Sequence, residues 1–258
     1  MPLRREPRDT LLSSVPFARD ALLLLLTWAA GNADAISYLG LGHVFTAMMT
    51  GNTVLLGLAL AQGEVFAALR SMLALGAFLA GVALGAVVVE RGEPREEWPP
   101  AVTAALLLEA VALGLFAVLW HLTGPERGAG VVAVLIALSG LAMGVQSAAV
   151  RRLGVPGIAT TYITGTLTSL AVDVVGWFRS RGVPTPATPT AGGATGVAAP
   201  AANWEQRVWL LAGVFVFYGF GALVGGVLQA RASPFVTAAP LVAVAIVVVS
   251  SWPRSRHR

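Results

Sequence analysis

Long apolar runs recur along the chain, and they constrain its fold more than any other feature of the sequence. A helix needs about 20 such residues to cross a hydrocarbon core of roughly 30 Å. The runs are continuous rather than alternating, which predicts helices and not barrel strands. The eight segments cover residues 21–41, 43–61, 71–89, 101–122, 128–150, 158–178, 208–230 and 234–252.

Composition points to the same class. Hydrophobic residues make up 56% of the 258, charged residues only 12%, and the mean hydropathy is +0.76. A soluble domain of this size does not carry so much apolar sequence, so we predict an all-α, polytopic transmembrane helix bundle whose partner is the lipid bilayer. The chain has no Cys, which excludes disulfides and thiolate metal sites.

The basic residues fit membrane topology rather than nucleic-acid binding. The net charge is +4 and the pI about 10.6, but the basic residues are all Arg and cluster at the ends of apolar runs. Positive charge in such positions is typical of cytoplasmic loops. We therefore predict no nucleic-acid partner, and a multi-pass protein of the bacterial cytoplasmic membrane with both termini in the cytoplasm. The all-Arg, Ala-rich composition suggests the bacterial source.

Both ends of the chain are predicted to be cytoplasmic tails, over residues 1–20 and, more basic, 253–258. The Arg-rich start, followed by an apolar run and the small-residue sequence Ala33-Asp34-Ala35, is also the pattern of a cleavable signal peptide. Because that run continues to Leu41 and others follow it, we predict an uncleaved first helix.

Two halves of the sequence resemble each other, which predicts an internal repeat. Residues 45–53 (FTAMMTGNT) align with 159–167 (ATTYITGTL), and residues 76–82 (GAFLAGV) align with 221–227 (GALVGGV). The first membrane repeat is then 21–122 and the second 128–252, with four hydrophobic segments each. The second includes a flexible linker at 180–202, rich in Pro, Thr, Ala and Gly.

Two topologies are compatible with these segments. Eight crossings is our expectation, because segments two and six are long enough to span, although it leaves Arg151 and Arg152 outside. In the alternative, segments two and six are re-entrant and six segments cross. That model fits the positive-inside rule better and makes the halves inverted, as in many transporters.

Two acidic residues lie within apolar segments, where a charge is costly. Asp34 follows Asn32 in the middle of segment one, and no Arg lies in a segment core to pair with it. We predict that Asp34 is protonated, hydrogen-bonded to neighbours such as Asn52 or Thr50, or facing water or a cation. It is either a proton- or cation-coupling carboxylate or a neutral acid that locks two helices together. Glu109 poses the same question in segment four.

Thr-Gly elements at matching positions of the two halves are a second candidate site. Gly loosens a helix, and Thr or Asn can satisfy the freed backbone groups or a bound ligand. Paired breaks of this kind favour a midplane binding site, while close helix packing is the alternative explanation. The residues are Thr50, Gly51 and Asn52 in the first half and Thr161, Thr164, Gly165 and Thr166 in the second.

The remaining motifs predict packing rather than chemistry. Glycines at 76, 81 and 85, and at 221, 225 and 226, are typical of helix-packing faces, through which a homo-oligomer could also form. No His-Glu-x-x-His, Gly-x-Ser-x-Gly or phosphate loop occurs. We therefore predict no enzyme, no metal site and no cofactor.

Two motifs resemble those of a known family. The first runs from Gly31-x-x-Asp34-Ala35 to Met49-Thr50-Gly51-Asn52, and the second from Gly144-x-Gln146 to Thr164-Gly165-Thr166. They resemble the YoaK-like proteins, a bacterial membrane family also called DUF1275 or UPF0700. The resemblance adds Gln146 to the candidate site. Two residues depart from the family pattern: Met48 stands where the family usually has Asn or His, and Ser147 where it usually has Asn.

The sequence thus predicts a secondary transporter or channel-like permease for an unknown small solute. Asp34 and Glu109 are the residues through which protons or cations would be coupled. The alternative is a membrane scaffold or accessory subunit that transports nothing, in which the polar residues only hold helices together.

Overall fold

Eight α-helices make up the regular structure of the described residues, and no strand occurs among them. The structure is a computed structural model and describes residues 15–90, 98–154, 163–182, 204–231 and 234–252. This confirms the predicted all-α class. The helices are α1 (Val15–Gly40), α2 (Met49–Gln62), α3 (Val65–Val89), α4 (Pro100–Leu122), α5 (Ala129–Arg152), α6 (Ile163–Gly182), α7 (Trp204–Ala230) and α8 (Ala238–Ser251).

Five of these helices are long and apolar enough to cross a membrane: α1 from Arg19, α3, α4, α5 and α7 from Val208. The second segment differs from the prediction, because only Met49–Gln62 is helical and its 14 residues extend about 21 Å. That is short of the roughly 30 Å hydrocarbon core. Helix α2 is short because the first residues of the predicted segment, 43–48, are not helical.

The predicted tail and linker boundaries also shift. Helix α1 begins at Val15, so the end of the predicted N-terminal tail is helical, and α6 includes residues 180–182 of the predicted linker. Both helices extend past their apolar runs into polar residues, where hydropathy no longer marks the helix. The rest of the linker and the tail at 253–258 lie outside the described residues.

Glycines bring two helix pairs into unusually close contact. A Cβ on Gly81 of α3 would overlap the carbonyl of Leu141 in α5, and one on Gly221 of α7 would overlap the carbonyl of Trp28 in α1. Only a residue without a side chain lets the backbones approach so closely. The predicted packing role therefore applies to these glycines, and also to Gly85 and Gly225. Gly76, in contrast, faces open space.

The contacts along each pair fix the helix directions. Along α1 and α7, Leu24 lies against Gly213 and Trp28 against Gly221, so the two helices are parallel. The α3–α5 pair is parallel in the same way. Helices α4 and α8 are antiparallel, since Thr103 donates to Ser251 at one end (3.0 Å) and His121 bonds Thr237 at the other (3.1 Å).

Two further contacts relate the pairs to each other. Gly40, at the end of α1, lies against Trp120, near the end of α4. Gln146, near the end of α5, donates to the carbonyl of Leu26 in the first half of α1 (3.1 Å). Helices α1, α4 and α7 therefore run one way, and α3, α5 and α8 run the other. We call the side of the bundle where α1 ends the α1-end side.

Candidate functional site

The candidate site begins where the chain turns back after α1. Gly42 and His43 both have positive φ angles, +86° and +61°. Gly adopts such angles without cost, and the turn reverses the chain direction. Residues 44–48 therefore return alongside α1 instead of continuing away from it. We call residues 42–48 the return loop.

Asp34 holds the return loop in place. Its Oδ1 accepts hydrogen bonds from the backbone N–H groups of Thr46 (2.7 Å) and Ala47 (2.6 Å), and its Oδ2 accepts one from Met48 (3.0 Å). The hydroxyl of Tyr218 in α7 also donates to Oδ2. Only 3% of Asp34 is exposed. All four partners are donors, so they match a carboxylate, which only accepts.

Asn52 fixes the other side of the return loop. Its Oδ1 accepts the N–H of Phe45 (2.9 Å), and its Nδ2 donates to the carbonyl of the same residue (2.6 Å). The amide thereby satisfies backbone groups that the interrupted helix leaves free. Gly51 is not the break itself. It lies in the first turn of α2, where a Cβ would press against the Phe45 ring and the Met48 methyl group.

The predicted bonding partners of Asp34 are corrected by this geometry. Neither Thr50 nor Asn52 contacts the carboxylate: the Thr50 side chain is exposed, and the Asn52 amide is used by Phe45. The return loop puts backbone N–H groups nearer to Asp34 than either side chain. The sequence pattern identified the right stretch of chain but the wrong atoms.

A hydroxyl chain ties the return loop to two further helices. The Thr46 hydroxyl lies 3.0 Å from the Ser37 hydroxyl in α1 and accepts a hydrogen bond from Ser139 in α5 (2.9 Å). All three side chains are buried. The return loop is therefore bonded at its backbone to Asp34 and at its side chain to α1 and α5.

Asp34 lines a cavity of about 280 Å³ between α1, the return loop and α7. Its walls are almost wholly apolar and aromatic, and the hydrogen-bonded carboxylate of Asp34 contributes hardly any exposed surface to them. The rings of Tyr38 and Phe45 are stacked with their centroids 5.0 Å apart. The lining residues are Asp34, Ala35, Tyr38, Leu39, Phe45, Met48, Tyr218, Ala222 and Gly226. A larger cavity, of about 490 Å³, has apolar walls, and none of the predicted site residues that the structure describes lines it.

Three other predicted residues are buried but lie apart from this cavity. Both carboxyl oxygens of Glu109 in α4 and both amide atoms of Asn32 in α1 have no hydrogen-bond partner among the described residues. Asn32 faces Gly225 in α7. Gln146 bonds the backbone of α1 at Leu26, so it connects two helices. The structure therefore brings Asp34, Gly51 and Asn52 together, but not these three.

The second Thr-Gly element is described only in part. Thr161 lies outside the described residues. Within the first turns of α6, the side chain of Thr164 is exposed, Gly165 is half-buried and Thr166 is buried.

Sequence reasoning missed Tyr218, which supplies the fourth hydrogen bond to Asp34. The chain has only three Tyr, and Tyr218 lies in the middle of an apolar segment. A Tyr hydroxyl buried in such a segment needs a hydrogen-bond partner, so Tyr218 could have been identified as a candidate from the sequence. Nothing in the sequence, however, says that α7 lies beside α1.

Comparison with known proteins adds a family. Residues 22–251 match the model of DUF1275, a protein family described as of unknown function. The chain is 46% identical over 158 residues to the UPF0700 transmembrane protein YoaK of Bacillus subtilis (strain 168), an alignment that covers 61% of this chain and 68% of the relative. No solved structure gave a significant match. With its apolar helices, this similarity identifies a multi-pass membrane protein.

Proposed function

The chain belongs to the DUF1275 family, and we propose that this member is a secondary transporter or channel-like permease for a small solute. One observation carries the proposal: a buried acid, Asp34, lies beside a cavity at the point where a membrane segment is broken. Irregular backbone at membrane depth is tolerated where it lines a cavity, and transporters place their binding sites at such breaks. The cytoplasmic membrane of a bacterium is the proposed location.

The helix directions support six crossings rather than eight. Helix α8, with 14 residues, is as short as α2, but it is counted as a crossing because it packs antiparallel along α4. Helix α1 ends and α3 begins on the same side, where Gly42 lies against the Arg70 side chain. Helix α2 therefore enters and leaves on the α1-end side. The same logic applies to α6, because α5 and α7 run in opposite directions. With the N-terminus inside, only Arg70, Arg127 and Arg231 then face outward, which agrees with the positive-inside rule.

Cysteine labelling tests this topology, because the chain has no Cys of its own. In the six-crossing arrangement, Glu126→Cys reacts with a membrane-impermeant thiol reagent on intact cells, and Glu90→Cys reacts only after permeabilisation. Both residues are exposed. Eight crossings reverse the two results. Arg231→Cys is outside in either arrangement and serves as the positive control.

The two close helix crossings support the internal repeat. Gly31 of α1 abuts the carbonyl of Tyr218 in α7, and Gly144 of α5 abuts the carbonyl of Phe78 in α3. If α1–α4 correspond in order to α5–α8, then α1 corresponds to α5 and α3 to α7. The α1–α7 crossing then corresponds to the α5–α3 crossing. The contacts also pair Gly81 with Gly221, and not with Gly226 as the sequence alignment did.

In that correspondence the charged site occurs only once. Ser147 takes the position of Asp34, and Phe78 takes that of Tyr218, so the second half lacks both the acid and the hydroxyl donor. A repeat in which this pair of acid and tyrosine occurs once supports one binding site of this kind. Asp34 is its centre, and Asn52 positions the return loop.

Glu109 is the second candidate for coupling. Its carboxyl is fully buried, and neither oxygen has a partner among the described residues. An unpaired charge in such a place is costly, so the neutral acid is the form that this setting favours. A group of this kind could take up or release a proton if the bundle opened to water.

The transport proposal is tested with purified protein in liposomes. A pH jump is applied to wild type, Asp34→Asn and Glu109→Gln, and a panel of solutes is screened for coupled proton movement. We expect a solute-dependent signal that falls at least about tenfold in Asp34→Asn. If every measurable flux is unchanged in folded Asp34→Asn, Asp34 has no coupling role.

One observation favours the scaffold alternative: all four bonds to Asp34 come from within the protein. A purely structural carboxylate needs nothing more. In that case no solute in the panel moves, in wild type or in Asp34→Asn, and the protein copurifies with a fixed partner. Flux that depends on Asp34 excludes this alternative.

A further inference from the structure

The cavity beside Asp34 has an unusual chemistry. The described residues that line it are one acid, Asp34, the aromatic residues Tyr38, Phe45 and Tyr218, and otherwise apolar residues. None of these lining residues is Lys, Arg or His. Its negative charge is therefore not neutralised by a basic side chain in the cavity. A positively charged ligand is the natural complement.

The hydrogen bonds of Asp34 limit what kind of cation fits. Each carboxylate oxygen already accepts two hydrogen bonds, which occupies the lone pairs. A metal ion needs several oxygen ligands, and in the described part of the chain no group of acidic or His residues could hold one. A primary ammonium group needs acceptors for its N–H groups, and the described walls expose almost no polar surface. We therefore expect the cavity to bind both metal ions and primary ammonium groups weakly.

A quaternary ammonium group has neither requirement. It donates no hydrogen bond, and it is held by charge and by the faces of aromatic rings. Tyr38 and Phe45 lie in a stack at the cavity, and the polarisable thioether of Met48 lines it as well. The charge of Asp34 acts at a distance through the low-dielectric interior without needing a free lone pair.

We propose that this cavity binds a small organic cation of the quaternary ammonium class, held by Asp34, Tyr38 and Phe45. The claim that such cations are transported rests on the proposed transport function. The claim that they bind in this cavity does not. The cavity volume of about 280 Å³ restricts it to small members of the class.

Choline and its uncharged isostere 3,3-dimethylbutan-1-ol form a matched pair of probes. Binding to the purified full-length protein is measured by calorimetry in detergent. We expect saturable choline binding at least about tenfold tighter than that of the isostere. Because Asp34→Asn also disturbs the return loop, Tyr38→Leu and Phe45→Leu are the decisive variants. They keep the charge and should each weaken choline binding about five- to thirtyfold.

Phe220→Leu is the control, since Phe220 lines the larger apolar cavity instead. It should leave choline binding unchanged. Equal binding of choline and isostere, or wild-type affinity in both Tyr38→Leu and Phe45→Leu, overturns the inference.

The failures of the two proposals are distinguishable. If choline binds as expected but does not cross the liposome membrane, the binding site stands and the transport function fails. If choline does not bind while another solute moves in an Asp34-dependent way, the transport function stands and the quaternary ammonium class fails.

Discussion

Replacing Asp34 by Ala is expected to destabilise the protein by on the order of 5 kcal/mol, because the change leaves several buried donors without an acceptor. The N–H groups of Thr46, Ala47 and Met48 and the hydroxyl of Tyr218 all lose their partner. Each unsatisfied buried group costs about 1–3 kcal/mol, and water is scarce at this depth. The free energy of unfolding in mixed micelles, followed by tryptophan fluorescence, measures the loss.

Asp34→Asn should fall between wild type and Asp34→Ala. The amide keeps one oxygen acceptor, but its NH₂ group meets donors where Oδ2 accepted from Met48 and Tyr218. Thr50→Ala is the matched control, because Thr50 lies next to the return loop with an exposed side chain. It should change stability by no more than about 0.5 kcal/mol. Wild-type stability in Asp34→Ala would falsify the anchoring role of the carboxylate.

Gly81→Ala is expected to destabilise the bundle by about 3 kcal/mol or more, because the added methyl group overlaps backbone rather than a flexible side chain. The nearest atoms are the carbonyl and Cα of Leu141 in α5, which can move only if α3 and α5 separate. That separation loosens one of the two closest contacts of this helix pair. The measurement is again unfolding in mixed micelles.

Gly76→Ala is the control on the same helix. No atom lies within 4 Å of a Cβ at that position. Because Ala has the higher helix propensity, stability should stay the same or rise by up to about 1 kcal/mol. Equal losses in Gly76→Ala and Gly81→Ala would mean that the α3–α5 contact is not as close as the structure has it.

The close glycine contacts bear on whether the protein forms a homo-oligomer. Gly81, Gly85, Gly221 and Gly225 are used in contacts within the chain. Four of the six glycines on the faces predicted to support a homo-oligomer thus make close contacts within the chain, and the homo-oligomer itself stays a prediction. Sequence spacing identified close-packing glycines but could not say which helix packs against them.

Prediction of the site was limited in a similar way. An acid in an apolar segment is conspicuous in the sequence, because its cost in a bilayer demands a partner, so Asp34 could be singled out. The Thr-Gly-Asn stretch was conspicuous for its polar residues. The partners of Asp34, however, are backbone N–H groups in the return loop and Tyr218 far along the chain. Backbone groups carry no sequence signature, and a contact between α1 and α7 depends on the packing of the whole bundle.

The sequence by itself determined the membrane class, the all-α fold and the approximate position of every helix, because the hydrocarbon core imposes the same length and polarity on any segment that crosses it. Tertiary structure alone decided that α2 is short, that the return loop folds back to Asp34, and that α1 pairs with α7 and α3 with α5. Apolar segments have similar hydropathy, so hydropathy cannot predict which helices pack against each other. Their arrangement depends on close contacts at glycines and on a few buried hydrogen bonds, which exist only once the helices have met.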